Sequence, residues 1–395
     1  MKKILLLTAA AAFALAGHAI TFDEAVTKII DNNRDVRLAY MNAEDVAGDG
    51  ASAGNLADPE VEFEYLFGPT SEDNRWNVAV SQSFDWPGVY AARRRAAQAD
   101  NNAFYLLAET TLADKRDEVR GALVEYIHTV QTITLLEDVA KTVDELLAAA
   151  EKSYSRGQGN ILDVNKLKIE KARVAAKLVD WREQQGAAVG LLNELNGGQD
   201  CSELISGLVN YPSYEIQSLL YYTANAQNDP AVKAAIARYE AQKAMEKVAD
   251  KERYPGFSVG YVHAYEDATH FNGFSVSLSL PFFSSRHKLA AAKRRTLTAE
   301  FNTSVAQTSA EAKITADYNR MKKLGTELRG LGQVFDTTDN LALLRRAYEG
   351  GQLSLVDYLT DTIYFIEAQI DYLDLNYRYN QVLASLQRYT PEPRP

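Results

Sequence analysis

The chain has 395 residues, with 53 acidic against 42 basic side chains and a formal net charge of −11. That balance excludes nucleic acid as a partner, because phosphate backbones are bound through basic surface. Hydrophobic residues at 46% and charged residues at 24% exclude a disordered chain and require a packed structure.

The first segment reads as an address. Lys2 and Lys3 precede the apolar run Ile4 to Leu15 and the ending Gly17-His18-Ala19, which predicts a secretory signal over 1–19, cut after Ala19. The run is shorter than the roughly 20 residues a spanning helix needs. No other segment is long and apolar enough, so any membrane role falls to strands. Cys201 is the only cysteine, so no internal disulfide can staple an exported chain.

The rest of the sequence repeats itself. At a shift of 196, Asn32 matches Asn228, Val36 Val232, Ala39 Ala235, Glu44 Glu240, Pro59 Pro255, Tyr65 Tyr261, Val80 Val276 and Ser81 Ser277. At a shift of 194, Tyr154 matches Tyr348, Gly157 Gly351, Gln158 Gln352, Asp163 Asp357 and Leu192 Leu386. The order and near-constant offset predict a tandem duplication, with repeats over 20–197 and 215–395 and a linker over 198–214.

Each repeat reads helix, two strands, long helix, turn, helix. A helical pattern covers 22–57, opened by Thr21 with Glu24 three positions on, as in a capping box. Strands follow at about 58–67 and 76–86. In the first, Val61, Phe63, Tyr65 and Phe67 alternate with Glu60, Glu62 and Glu64, the period of two that marks a strand with unlike faces. The second repeat predicts strands at about 256–265 and 274–282, joined by a loop from Glu266 to Gly273. These lengths suit tilted strands crossing a bilayer. Four strands cannot close a barrel, and open edges in hydrocarbon are costly, so several chains must pool strands; three give twelve. His263 and His270 flank a strand and loop junction, as interfacial residues do.

From about Gly88 to Tyr154 the chain lacks proline and repeats apolar residues at three and four positions, through Val119, Leu123, Ile133, Leu136 and Val143. A helix of that span is on the order of 100 Å long. Residues 22–57 and 160–196 are each about half as long, and end to end they would match it. Gly121, Gly325, Gly330 and Gly332 are places for a kink. The last helix has two apolar seams, one through Leu359, Ile363 and Ile366, the other through Tyr358, Phe365, Tyr372 and Tyr379. Two seams predict two neighbours, as in a ring of helices. Histidines and methionines show no metal-ligand spacing, and no bounded cleft of catalytic groups is legible. The sequence therefore predicts no enzyme, cofactor or metal.

The signal, the duplicated plan and the turns Tyr154-Ser-Arg-Gly157-Gln-Gly-Asn-Ile-Leu-Asp163 and Tyr348-Glu-Gly-Gly351-Gln-Leu-Ser-Leu-Val-Asp357 together resemble TolC-like outer-membrane efflux and secretion channels. The resemblance implies a mainly α fold with a membrane β-barrel: a trimeric, twelve-stranded barrel on a long α-helical barrel reaching into the periplasm. It implies a homotrimer in outer-membrane lipid, working with a periplasmic adaptor (membrane fusion) protein and an inner-membrane pump in efflux or type I secretion. It places Gly157, Gln158, Gly351 and Gln352 at the periplasmic tip facing the adaptor, and Asp163, Tyr348 and Asp357 at the tip entrance. Two departures stand out: the TolC pattern has an arginine that locks the tip where Leu353 stands, and its second acidic ring position is Thr360 here, with Asp361 beside it. Asp163 and Asp357 also suit the start of a helix, where the dipole favours a carboxylate. Glu60, Glu62 and Glu64, repeated by three chains, would form acidic rings in the pore lumen; they would equally serve as wet polar filler. A pore-less periplasmic coiled-coil adaptor is the alternative, and it leaves the four strands without a role.

Overall fold

A computed structural model describes residues 20–70, 73–281, 285–336 and 340–390. The proposed signal lies outside them. Helices α1 (Phe22–Asp31) and α2 (Arg34–Ala51) lead to strands β1 (Glu60–Leu66) and β2 (Arg75–Phe84), then α3 (Pro87–Ser155) and α4 (Ile161–Leu195). Short α5 (Ser202–Ile205) and α6 (Leu219–Asn225) precede α7 (Pro230–Lys251), β3 (Gly256–Glu266), β4 (Thr269–Ser279), α8 (Ser285–Asp336), α9 (Asn340–Glu349) and α10 (Leu355–Leu386).

The chain forms two compact units, and each draws matching pieces from both repeats. One is helical and comprises the residues up to Val36, Leu112–Asn225 and those from Lys313 on. The other carries the sheet and comprises Arg37–Thr111 and Ala226–Ala312.

The helical unit begins as its sequence suggests. Thr21 caps α1 by accepting from the Glu24 amide, while the Glu24 carboxylate accepts from the Thr21 amide at 2.8 Å, a full capping box. The helical pattern over 22–57 is not one helix, however. Asn33 ends it and starts the next, its side-chain oxygen accepting from the amides of Asp35 and Val36 at 3.1 Å. Asp229, its counterpart in the second repeat, caps α7 in the same way through the Ala231 amide.

At this break α4 arrives. Asn33 Nδ2 donates to the Leu195 carbonyl at 2.8 Å and Asn32 Nδ2 to Asn196 Oδ1 at 2.9 Å. The end of α4 thus abuts the α1–α2 junction, inside the 22–57 segment rather than at its end, and α1 packs beside α4 instead of stacking on it end to end. The 198–214 segment packs rather than dangles: Cys201, Ile205 and Leu208 are buried against Ile29, Leu123 and Leu192.

Beyond that core, Ile133, Leu136, Val139 and Val143 of α3 close on Leu167, Val174 and Leu178 of α4 and on Leu359 and Ile366 of α10. The other seam of α10 faces α8. There Gly325 and Gly332, one heptad apart, leave room for the rings of Tyr379 and Tyr372, which lie 3.0 and 3.5 Å from where a Cβ would stand. The last helix therefore packs along both seams, against α3 and α4 on one and α8 on the other, one helix more than the two predicted. None of the four suspected glycines interrupts its helix, since α3 runs through Gly121 and α8 through Gly325, Gly330 and Gly332.

In the other unit the strands form one antiparallel sheet in the order β1-β2-β3-β4. The last hairpin is tighter than its sequence suggests. Instead of a loop from Glu266 to Gly273, Asp267 and Ala268 alone make the turn, both at positive φ (49° and 58°), the two-residue geometry that matches strand twist. Strand β4 therefore starts at Thr269, five residues before the expected 274. It ends at Ser279; residue 282 lies outside the described residues.

Candidate functional site

The sheet has two unlike faces, fixed by register. Val61, Val80, Tyr261 and Phe274 pair across the four strands and share one face, as do Tyr65, Trp76, Tyr265 and His270. This face is apolar and open: Phe274 is 89% exposed, Val276 77% and Val61 72%. At its hairpin end, Trp76 stacks on Tyr265 at 6.0 Å, His263 stacks on His270 at 5.3 Å, and His263 Nδ1 lies 2.8 Å from Asn272 Oδ1. The histidines thus sit in an aromatic patch, the composition expected at a membrane interface.

The opposite face is small and polar. Glu60 pairs with Ser81, Glu62 with Ala79 and Glu64 with Asn77, and the rows continue through Gly260, Val262 and Ala264 to Ser275, Gly273 and Phe271. Asn77 donates to Glu64 at 2.6 Å. The basic residue on the flanking strand, Arg75, is paired with Glu266, so the three-glutamate column keeps its charge. At Gly260 a Cβ would stand 2.6 Å from Ser275 Oγ and 2.9 Å from the Val80 carbonyl, so only glycine fits there.

The two helix reversals of the helical unit are copies of one motif. In the first, Gly157 has φ +73° and its amide donates to the Tyr154 carbonyl at 2.9 Å, while the Gln158 amide donates to Ser153 at 3.1 Å. In the second, Gly351 has φ +70° and donates to Tyr348 at 2.9 Å, while Gln352 donates to Ala347 at 2.8 Å. Both are Schellman ends, which want glycine at the left-handed position. All four residues are exposed.

After each turn the next helix is capped. Asn160 accepts from the Leu162 amide at 3.0 Å, and Ser354 from the Asp357 amide at 3.2 Å. Asp163 and Asp357 consequently occupy the same place, three residues past the cap, where the helix dipole favours a carboxylate. Asp357 also accepts from the Ser354 hydroxyl at 2.7 Å. Tyr348 stacks on Tyr358 at 4.9 Å. Burial pushes the Tyr348 hydroxyl up first, then the neighbouring Tyr358 and the Asp163 carboxylate; that last influence brings the two turns together. Tyr358 is legible in the sequence only as a seam residue of the last helix, and the two capping residues were not singled out, although Ser354-x-x-Asp357 is a cap signal in its own right.

Among the described residues no helix is long and apolar enough to cross a membrane, and no group of three or more His, Cys, Asp or Glu could hold a metal ion. The sheet is the element with a membrane-like surface.

Residues 221–391 match the family model for Outer membrane efflux protein. This part of the chain, less than half of it, is similar to that family. The fold of the outer membrane efflux channels extends over the first repeat as well. A membrane protein from Pseudomonas aeruginosa is 18% identical with a TM-score of 0.78, covering 93% of this chain and 89% of that one. The outer membrane protein VceC from Vibrio cholerae is 15% identical with a TM-score of 0.74, covering 93% and 95%. The open state of the MtrE outer membrane channel from Neisseria gonorrhoeae is 15% identical with a TM-score of 0.73, covering 93% and 88%. No curated protein matches the sequence closely enough to count as a relative. The chain thus has the fold of these outer membrane channels, and residues 221–391 carry the sequence pattern of the Outer membrane efflux protein family.

Proposed function

We propose that three copies join their sheets edge to edge into a twelve-stranded pore and serve as the exit duct for an inner-membrane pump, through a periplasmic adaptor that meets the paired turns. The observation that carries this reading is the sheet itself: four strands with β1 and β4 as free edges and an exposed apolar face. In hydrocarbon such edges must be paired, and the shortest way to pair them is another copy. With the apolar face toward lipid, Glu60, Glu62 and Glu64 face the lumen and raise the local cation concentration. Gly157, Gln158, Gly351 and Gln352 offer two like turns to the adaptor, and Asp163, Tyr348 and Asp357 line the entrance.

The test is single-channel recording in planar bilayers with the mass of the detergent-purified protein measured alongside. A trimer with discrete conducting steps is expected, and a non-conducting monomer would overturn the reading. Replacing Glu60, Glu62 and Glu64 by Gln should lower cation over anion selectivity severalfold at unchanged assembly. Unchanged selectivity would remove the acidic lumen.

A further inference from the structure

In this acidic chain the segments from Trp86 to Ala99 and from Ala268 to Ala299 carry no acidic residue. Both contain the point where a strand passes into a long helix, β2 into α3 and β4 into α8. Arg93 to Arg95 lie in the first, and Arg286, Lys288, Lys293, Arg294 and Arg295 in the second. Arg93 is an internal brace, bound to Asp85 at 2.6 Å and to Glu252 at 2.8 Å. The others point to a different use.

An open cleft of about 780 Å³ lies between the end of α7, the end of β4 and the first turns of α8. Three cations, Arg253, Arg286 and Lys293, and one carboxylate, Asp250, line it, with Tyr254 and Leu280. Arg286 and Lys293 are exposed, and neither pairs with a carboxylate among the described residues. Arg253 has only a 3.4 Å contact with Asp250. Tyr254 stacks on Trp86 at 5.5 Å, and Lys251 Nζ lies 5.6 Å from the Tyr254 ring centre. Leu280 continues the column Phe274, Val276 and Leu278, every second residue of the exposed apolar face. The cleft therefore joins a stripe that suits acyl chains to three cations, with an aromatic pair at the level between them.

We propose that this cleft binds an anionic glycerophospholipid, its phosphate held by Arg253, Arg286 and Lys293 and its chains lying along β4. The inference rests on the proposed orientation, which puts this end of the sheet at the periplasmic leaflet. Juxtamembrane cations attract anionic headgroups in this way, while tyrosine and tryptophan favour the interface. Continuity with the apolar column favours a lipid over a free anion.

The test compares phosphatidylglycerol with phosphatidylcholine retained by the detergent-purified full chain, read by native mass spectrometry, with conductance recorded on the same preparations. Wild type should prefer phosphatidylglycerol, and the preference should fall about fivefold for each cation removed in Arg253→Gln, Arg286→Gln and Lys293→Gln. High salt should erode it in wild type. Equal retention of the two lipids by a conducting wild type, or an unchanged preference in the triple variant, would overturn the inference while leaving the channel standing. Displacement of the lipid by inorganic phosphate would assign the cations to a free anion, and a triple variant that falls apart into single chains would assign the cleft to contact between copies; either result also overturns it. A wild type that conducts nothing would instead remove the orientation on which the inference stands.

Discussion

In the helical unit, apolar side chains that recur at three and four positions are covered by the same chain: Leu123, Ile127, Leu136, Leu167 and Leu192 are fully buried. In the sheet-bearing unit the apolar residues that recur at every second position stay open, with Phe63, Phe274 and Val276 among the most exposed. Burial of apolar surface is favourable wherever it occurs, so the contrast separates a unit whose apolar faces are covered by its own chain from one whose apolar face stays open. On the reading proposed above, lipid would satisfy the open face and strands of further copies the open edges.

The sharpest way to break this contrast is to put a charge on the open face. Val80 shares the middle row of the sheet with Tyr261. A Val80→Arg substitution should cost about 2 to 4 kcal/mol per protomer in membrane assembly, measured as loss of the detergent-stable oligomer. Glu62→Gln on the opposite face should leave the oligomer intact. Equal tolerance of both changes would mean that the apolar face does not meet lipid.

The covered unit is tested next, through its main buried ion pair. Arg388, 8% exposed at its side chain, donates to Asp114 at 2.6 Å and to Asp117 at 3.1 Å. Burial pushes the Asp117 carboxyl up, and Arg388 is first among the neighbours that oppose it. Arg388→Met leaves Asp117 with the longer 3.8 Å contact to Arg120 and the exposed Asp114 to water, so a loss of about 3 kcal/mol is expected, read by thermal or denaturant unfolding. Adding Asp117→Asn should restore part of it. A double variant no better than the single one would show that the cost comes from lost packing around Arg388 instead.

The same contrast explains what could be read from the sequence. Periodicity carried furthest where one face meets one environment: the alternation of Glu60 to Phe67 gives both the strand and its faces, and the two seams of α10 give its two packed sides. The repeated turns were legible because a left-handed residue after a helix favours glycine, and Gly157 and Gly351 say so. Local signals misled where tertiary pairing overrode them. Asn272-Gly273 reads as a turn, yet it lies inside β4 opposite His263 and Val262, while Asp267 and Ala268 turn the chain although alanine is a poor choice at positive φ. Asn33 hid a helix break because an asparagine that caps the next helix looks like any polar residue on a helical surface. The Arg388 pair joins residues more than 270 positions apart, a distance at which no sequence pattern carries information.

The smallest expected effect refines the description of the covered unit, since its core is not wholly apolar. His128 on α3 is 4% exposed, stacked on Tyr377 of α10 at 4.6 Å and edge-on to Trp181 of α4 at 5.1 Å. Its Nδ1 has no hydrogen-bond partner among the described residues. Burial pushes the imidazole down from its ordinary range, and the Asp374 carboxylate on α10 opposes that shift only in part. The folded state therefore holds a neutral ring, whereas the unfolded chain takes up a proton near pH 6.5. The associated stability is complete above that pH and is lost as the pH falls through it, because the unfolded state then binds more protons. Wild type should thus melt at a lower temperature at pH 5 than at pH 7.5. His128→Phe, which keeps the stacked ring and removes the proton site, should flatten that dependence, and Asp374→Asn should steepen it. Parallel profiles for wild type and His128→Phe would place the acid sensitivity elsewhere and leave His128 as a packing residue alone.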